Sequence, residues 1–404
     1  MTLPSSNSLP RVAPNSMLAR LLLAFLAAAG LFYVPIIPAL VDGIKQGLGF
    51  SNKQAGMVAS FNVYGAACGA FLIAFLVRHV KWRPTAHLFL FGLIGMDLLS
   101  MLVKAPPLLM GTRFVHGVVG GMLVGLSFSI IARTEEPDRT FGMLLLVQTL
   151  TGGIGIMTLP LLIPRLGTTV LFVAMILFSV TTLLMLQFLP DYPPRPTPTV
   201  AKGNERSTLM LRPLLLALFS TFLFQAANEG LFAYMIGIGR SDGLDLAFIS
   251  SSLGIVGWLA MLGPALVILI STKFGIFKPI VIGILLTLLG SYFFYYCGVK
   301  WVWIAANTST GITWNFTISH LLGMCARFDR TGQAAVWSGF ASKMGLASGP
   351  MLASMIVGTG NYSNVIIMAL VLFACAAVAS AVPSWQLDHG VADELPTRRA
   401  AEVS

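Results

Sequence analysis

Long apolar runs, bounded by charged residues or by Pro- and Gly-rich turns, recur along almost the whole chain. A membrane-spanning helix needs about 20 predominantly apolar residues, and twelve runs reach that length. They predict transmembrane helices over residues 17–41, 54–78, 84–104, 107–132, 140–163, 168–189, 211–237, 246–270, 279–299, 301–324, 332–358 and 363–384. The pattern therefore indicates an all-α integral membrane protein.

The composition supports this fold class. Together with the length of the first apolar run, it argues against a nucleic-acid partner and against an N-terminal signal peptide. Of the 404 residues, 56% are hydrophobic and 10% are charged, whereas soluble domains carry about 25% charged residues. The net charge of +10 is explained by basic cytoplasmic loops, so nucleic acid is not expected as a partner. The run from Leu21 to Leu40 is too long for the apolar part of a signal peptide, and eleven further spans follow it. It is taken as the first helix.

Residues 190–210 interrupt the apolar pattern with proline, charge and small polar residues. They predict a cytoplasmic linker between an N-terminal six-helix bundle (1–189) and a C-terminal six-helix bundle with a short cytoplasmic tail (211–404). A short repeat supports two homologous halves, because Asp-Arg-Thr precedes the fifth helix of each half, at 138–140 and 329–331.

The distribution of Lys and Arg predicts the orientation. With both termini on one side, that side holds seventeen of the 25 basic residues and the other side holds six. The remaining two, Arg113 and Lys343, lie inside helices. Because cytoplasmic loops carry the excess of Lys and Arg, both termini are expected in the cytoplasm, and a bacterial inner membrane is the expected location.

The fourth span contains an arginine followed four residues later by glycine and then by further small residues: Arg113, Gly117, Gly120 and Gly121. With six plus six helices, a polar central linker and cytoplasmic termini, this segment resembles the fourth-helix motif of the major facilitator superfamily. The resemblance covers essentially the whole chain. It implies two pseudo-symmetric six-helix bundles and a transporter with its site between parallel repeats.

Two other motifs of the family depart from its pattern. The loop after the second span keeps a basic end, but the usual aspartate position holds Arg78, so the salt-bridge latch that this motif implies lacks its acid. The fifth span has Gly152, Gly153, Gly155 and then Pro160, without the Gly-Pro pair of drug/proton antiporters. This second departure counts against a standard drug exporter.

Four ionisable residues are predicted at membrane depth, where charge is costly and marks function by default. At about 1.5 Å per residue, Asp97, Arg113 and Glu229 lie about 9 to 12 Å from the outer ends of their spans. Lys343 lies about 16 Å from the inner end of its span, near the midplane. Two alternatives stay open: Arg113 pairs with Asp97 to hold the first half together, and Lys343 reaches a backbone carbonyl or a contact between halves.

Helical spacing groups several polar residues on shared faces. Gln225, Asn228, Glu229 and Phe232 follow i, i+3, i+4, i+7 in span seven. In span ten a similar face is formed by Asn307, Gly311, Trp314 and Asn315. The resemblance implies that spans one, four, seven and ten line a central cavity. The predicted substrate-binding residues are Tyr33, Arg113, Gln148, Gln225, Asn228, Phe232, Asn307, Trp314, Asn315 and Lys343.

The predicted proton-coupling residues are Glu229, Arg113 and Asp97, with Glu229 as the leading proton carrier. Two cations and one good acid favour an organic anion as substrate. His116 and His320 are interpreted as packing residues, and Asn62 as either helix contact or site.

The favoured function is a secondary transporter that moves a small organic solute by proton-coupled alternating access. The alternative is a proton-driven exporter of amphipathic or drug-like compounds. No H-x-x-E-H or G-x-S-x-G signature points to an enzyme, and no G-x-x-x-x-G-K-[ST] points to ATP. No cofactor or metal is predicted, and a monomer is expected. Four cysteines without C-x-x-C or Cys/His spacing are interpreted as buried apolar residues: Cys68, Cys297, Cys325 and Cys375.

Overall fold

A computed structural model describes residues 11–14, 16–77, 79–192, 211–270, 273–328, 333–358 and 360–389. These residues form α-helices and two short 3-10 turns, and no strand occurs among them. The helices are α1 (Met17–Ala29), α2 (Ile37–Leu48), α3 (Asn52–Leu76), α4 (Trp82–Leu102), α5 (Pro106–Ile131), α6 (Pro137–Leu166), α7 (Thr169–Leu186), α8 (Leu211–Ala233), α9 (Met235–Ser241), α10 (Leu246–Leu259), α11 (Leu262–Ile270), α12 (Phe277–Tyr292), α13 (Lys300–Arg327), α14 (Gln333–Ile356) and α15 (Tyr362–Asp388). The all-α membrane fold predicted from the apolar runs is confirmed.

Within the described residues, nine spans are long and apolar enough to cross a membrane, or ten if the bent pair α1 and α2 is one span. The other two predicted spans coincide with α13 and α14, which are 28 and 24 residues long. Both carry polar residues along their length, such as Asn307 in α13 and Lys343 in α14. The full count of twelve transmembrane helices therefore remains a prediction.

The first span is broken rather than straight. Its two helical segments meet at 57°, with a 3-10 turn at Val34–Ile36 between them. Pro35 and Pro38 cause the break, because a proline has no amide hydrogen for the helical ladder and its ring clashes with the preceding turn. The span therefore changes direction next to Tyr33.

The chain clusters into two compact units. One comprises Met1–Leu48 and Phe61–Ala201, and the other comprises Gly49–Ser60 and Lys202–Ser404. The first turns of α3 thus belong to the second unit, where the Tyr234 hydroxyl donates to the Asn52 carbonyl at 2.8 Å. Most of the predicted linker, the second Asp-Arg-Thr segment and Arg78 lie outside the described residues.

In the first unit, α3 and α5 approach each other through glycines on both helices. A Cβ added at Gly117 would lie 1.9 Å from the carbonyl oxygen of Asn62, and one at Gly65 would lie 2.1 Å from that of Phe114. The same kind of approach is made by Gly69 and Gly121. Such contacts suit membrane helices, which associate through close backbone packing.

Replacing Gly117 with alanine should destabilise the protein by about 1–3 kcal/mol, the usual cost of overpacking. The added methyl would press on backbone, which cannot move aside. Gly111→Ala in the same helix is the matched control, since its Cβ would meet nothing within 4 Å. Thermal unfolding of both variants in detergent measures the difference. Equal melting temperatures would contradict the close approach.

Arg83 closes the end of α7. Its guanidinium donates to the carbonyls of Leu186 at 2.9 Å and Leu189 at 2.6 Å, at the last residue of α7 and three residues beyond it. It also pairs with Asp191 at 3.2 Å, and Arg11 pairs with the same carboxylate. Burial raises the pKa of Asp191, but the hydrogen bonds and the charges of the two arginines together outweigh this and lower it. The basic end of the loop motif thus anchors the start of the predicted linker.

The prediction for the cysteines was half wrong. Cys297 and Cys325 are buried, whereas Cys68 and Cys375 are exposed. The last two lie on outward faces of α3 and α15. An apolar position in a membrane helix faces either protein or lipid, and an apolar run alone does not distinguish these two environments.

Candidate functional site

The first unit contains a fully buried ion pair between α4 and α5. Arg113 Nη1 donates to Asp97 Oδ1 at 2.6 Å, and both side chains are 0% exposed. The same nitrogen lies 3.3 Å from Ser100 Oγ. Of the alternatives left open for Arg113, the structure shows the pairing with Asp97. In this arrangement the guanidinium is closed off from any solute.

His116 joins this pair, and its tautomer follows from its neighbours. Asn62 Nδ2 donates to the Arg113 carbonyl at 3.0 Å, which orients the amide, and the same Nδ2 lies 2.8 Å from His116 Nδ1. Arg113 Nη2 approaches Nδ1 at 3.0 Å. Both neighbours are obligatory donors, so the network assigns Nδ1 as the acceptor and places the proton on Nε2. That Nε2 lies 3.4 Å from Asp97 Oδ1.

The cluster is electrically balanced but not saturated with hydrogen bonds. The positive charge of Arg113 and the negative charge of Asp97 cancel, and the assigned His116 tautomer is neutral. However, Asp97 Oδ2 and Arg113 Nε are buried without a hydrogen-bond partner among the described residues. The rings of Tyr33 and Phe172 lie 5.0 and 5.6 Å from the guanidinium carbon. The pair is thus held by one strong bond inside an aromatic wall, with one carboxylate oxygen free to accept a proton.

The second unit holds Glu229 in a different environment. Its side chain sits on α8 and is 3% exposed. Oε1 is buried without a hydrogen-bond partner in the described part of the chain. Here α8 and α14 pack closely, since a Cβ at Gly349 would lie 2.5 Å from the Ala226 carbonyl oxygen. Within the described residues no Lys or Arg forms an ion pair with this carboxyl, and an isolated buried carboxylate is very costly.

Gln225 links three helices one turn away from Glu229. Trp314 Nε1 on α13 donates to Gln225 Oε1 at 2.7 Å. Gln225 Nε2 in turn donates to Ser342 Oγ on α14 at 2.8 Å. The next residue, Lys343, is half-buried and forms no ion pair within the described residues. Polar side chains of α8, α13 and α14 thus meet at Gln225, and Lys343 follows Ser342 along α14.

The remaining predicted site residues have other surroundings. Asn307 Nδ2 donates to the carbonyl of Trp303 in its own helix. Asn315 Nδ2 donates to the carbonyls of Ala260 and Gly311 at 3.3 and 3.2 Å, so it supports the packing of α13 against the chain between α10 and α11. Three others are half-buried: Gln148, Asn228 and Phe232.

The participants that were not predicted as site residues include His116, Ser100 and Ser342. Two of them had a signal in the sequence, because His116 lies three residues after Arg113 and Ser100 three residues after Asp97. Residues at this spacing share a helix face. Ser342 had no such signal, because its partner lies on another helix.

An all-α membrane fold with buried ionisable groups and a polar meeting point in the membrane region is typical of solute transporters. A model of the Major Facilitator Superfamily matches residues 20–350. The chain therefore belongs to the Major Facilitator Superfamily, as its fourth-helix motif predicted. No curated protein matches the sequence.

Solved structures with a similar fold include several transporters. The nucleoside transporter NupG has a TM-score of 0.69 at 14% identity, covering 92% of this chain and 98% of that one. A D-xylose-proton symporter has a TM-score of 0.65 at 14% identity, with 92% and 96% covered. The POT family transporter PepTSo has a TM-score of 0.69 at 12% identity, with 94% and 98% covered. At these identities, the likeness shows the shared fold.

Proposed function

We propose that this protein is a proton-coupled secondary active transporter of a small organic solute, with an organic anion as the favoured class. The observation that carries the proposal is Glu229, a buried carboxyl whose Oε1 has no partner among the described residues. A carboxyl without a fixed cation can hold a proton when buried and release it when water reaches it. Alternating access would supply these two environments in turn.

Lys343 supports the preference for an anion. Arg113 is already neutralised by Asp97, whereas Lys343 has no carboxylate within ion-pair distance in the described residues. A cation at membrane depth is expensive, and an anionic substrate group would compensate it. Gln225, Trp314 and Ser342 form a hydrogen-bonded group at the turn of α14 that carries Lys343, and Asn307 and Asn228 are further polar residues of the same unit.

The Asp97–Arg113 pair is proposed as a second coupling position. A proton on the unpartnered Asp97 Oδ2 would neutralise the carboxylate and leave the guanidinium without a counter-charge. Arg113 would then attract an anionic group, next to the Tyr33 ring. A proton and an anion would thereby favour each other's binding, which is the reciprocal linkage that symport requires.

The similar structures support a small polar solute, since they include a nucleoside transporter and a D-xylose-proton symporter. In the second of these proteins the coupling ion is a proton. We also infer two six-helix halves, 1–189 and 211–404, joined by 190–210, with cytoplasmic termini. A monomer in a bacterial inner membrane is the proposed setting.

The test is a thermal-stability screen of the purified protein against organic acids, sugars, amino acids and amphipathic drugs. A carboxylate ligand should stabilise the wild type, by about 2.7 kcal/mol at a concentration of 100 Kd. Lys343→Gln should abolish this stabilisation because the anion loses its counter-charge, whereas Lys343→Arg should retain it.

The opposite pattern would be equally informative. If only neutral or cationic amphipaths stabilise the protein, and Lys343→Gln responds to them like the wild type, the organic-anion assignment is wrong. The exporter of amphipathic or drug-like compounds would then be the better description. Ligand-free melting temperatures of both variants serve as the folding control.

A further inference from the structure

A groove on the second unit runs between α11 and α12. Its volume is about 380 Å³, within the range of ligand pockets. Its floor is formed by α13, against which both other helices pack. A Cβ at Gly263 would lie 2.4 Å from the Ile312 carbonyl oxygen, and one at Gly283 would lie 2.3 Å from Thr317 Oγ1. Through these close approaches α11 and α12 both pack on α13, and the groove lies between them.

The groove is apolar along its length and basic at one end. Its walls include Leu266, Ile270, Ile282 and Leu286, and Lys278 lines the end where α12 begins. From Lys278 to Leu286 the groove follows about 12 Å of helix, at about 1.5 Å per residue. This shape matches an extended hydrocarbon chain that starts at the membrane surface and runs inward.

The charge at that end is net positive. Lys278 and Lys273 are exposed, and no carboxylate lies within ion-pair distance of either in the described part of the chain. One negative charge lies nearby on Asp388, whose oxygens accept from the amides of Ile276 and Phe277 at 2.7 and 2.9 Å. Basic residues at the mouth of a gap between membrane helices attract anionic headgroups.

We propose that this groove binds one anionic phospholipid, with an acyl chain between α11 and α12 and its headgroup phosphate on Lys278. The lysine methylenes extend along the apolar surface while the ammonium reaches the interface. The proposal is independent of the transported solute, because none of these residues belongs to the candidate transport site.

The first unit offers a matched control. A groove of about 330 Å³ lies there among α1, α6 and α7, lined by residues such as Phe25, Ile154 and Ala174. No basic residue lines it. It should accept acyl chains without preference for a charged headgroup.

The experiment is native mass spectrometry of the full-length protein with equimolar phosphatidylglycerol and phosphatidylcholine that carry identical acyl chains. Wild type should retain phosphatidylglycerol with a preference of about fivefold, the factor expected from one lysine near anionic lipid. Lys278→Gln should remove the preference, and Lys278→Arg should keep it. Ile282→Trp, which fills the groove, should also remove it.

Ala174→Trp fills the control groove and should leave the preference unchanged. Equal binding of both lipids to wild type would overturn the proposal, as would a preference that survives Lys278→Gln or Ile282→Trp. A preference lost with Ala174→Trp would place the lipid in the other unit and equally refute it. Melting temperatures of all variants confirm that each is folded.

Discussion

Replacing Arg113 with methionine is expected to lower the stability of the protein by about 3–5 kcal/mol, the cost of leaving one partner of a buried ion pair uncompensated. The loss would be large because Asp97 is 0% exposed and Arg113 is its only ion-pairing Lys or Arg partner among the described residues. The neutral His116 donor, at 3.4 Å, cannot replace the charge. Denaturant or thermal unfolding in detergent, at a pH where carboxylates are ionised, measures the effect.

The control is the double variant Asp97→Leu with Arg113→Met. Removing both charges avoids the buried unpaired carboxylate, so the double variant should be more stable than Arg113→Met alone. Transport should nevertheless stay impaired in the double variant if the pair takes part in coupling. A single Arg113→Met variant as stable as wild type would show that the pair does not contribute to the fold.

Replacing Glu229 with glutamine is expected to abolish solute accumulation driven by a pH gradient. The amide resembles the protonated acid in shape but cannot release a proton, so the loaded carrier can still exchange solute while the proton cycle stops. The solute concentration inside the vesicles should then rise only to that outside, because the gradient no longer does work on the solute. Proteoliposomes with an imposed pH gradient, loaded with a ligand found in the stability screen, provide the measurement.

Two controls accompany this variant. Glu229→Asp keeps an acid at the site and should keep part of the coupling, whereas Asp191→Asn removes an exposed acid outside the membrane region and should leave accumulation unchanged. Counterflow exchange must persist in Glu229→Gln, which shows that the carrier is folded. Full gradient-driven accumulation by Glu229→Gln would rule out this residue as the proton carrier.

Much of the fold was predictable because a bilayer imposes a simple length and polarity requirement on each helix. The positions of the helices follow the apolar runs closely, as in α4 and α5. The break in the first span was not predicted, although Pro35 and Pro38 were visible. Prolines are tolerated in many membrane helices, so their presence alone does not tell a kink from a full change of direction.

The site was predictable within one helix and not between helices. Periodicity placed Gln225 and Glu229 on a common face of span seven, because residues four apart lie one turn from each other. It could not give the partner of Gln225, because Ser342 meets it only through the relative rotation of α8 and α14. For the same reason Asn315 shares its face with Trp314 by spacing, yet donates towards the chain between α10 and α11 instead.

The interlocked glycines of α3 and α5 have a mechanical consequence for transport. With backbone against backbone, these two helices have no side-chain layer that could yield, so sliding or rotating one past the other would be strongly opposed. The two helices should therefore move as one rigid body, and Asn62, Arg113 and His116 should move with them. Any rearrangement that separates Arg113 from its counter-charge must then come from displacement of α4, the helix that carries Asp97. The helix that moves in this unit would be α4, which is shorter and less buried than α3 and α5.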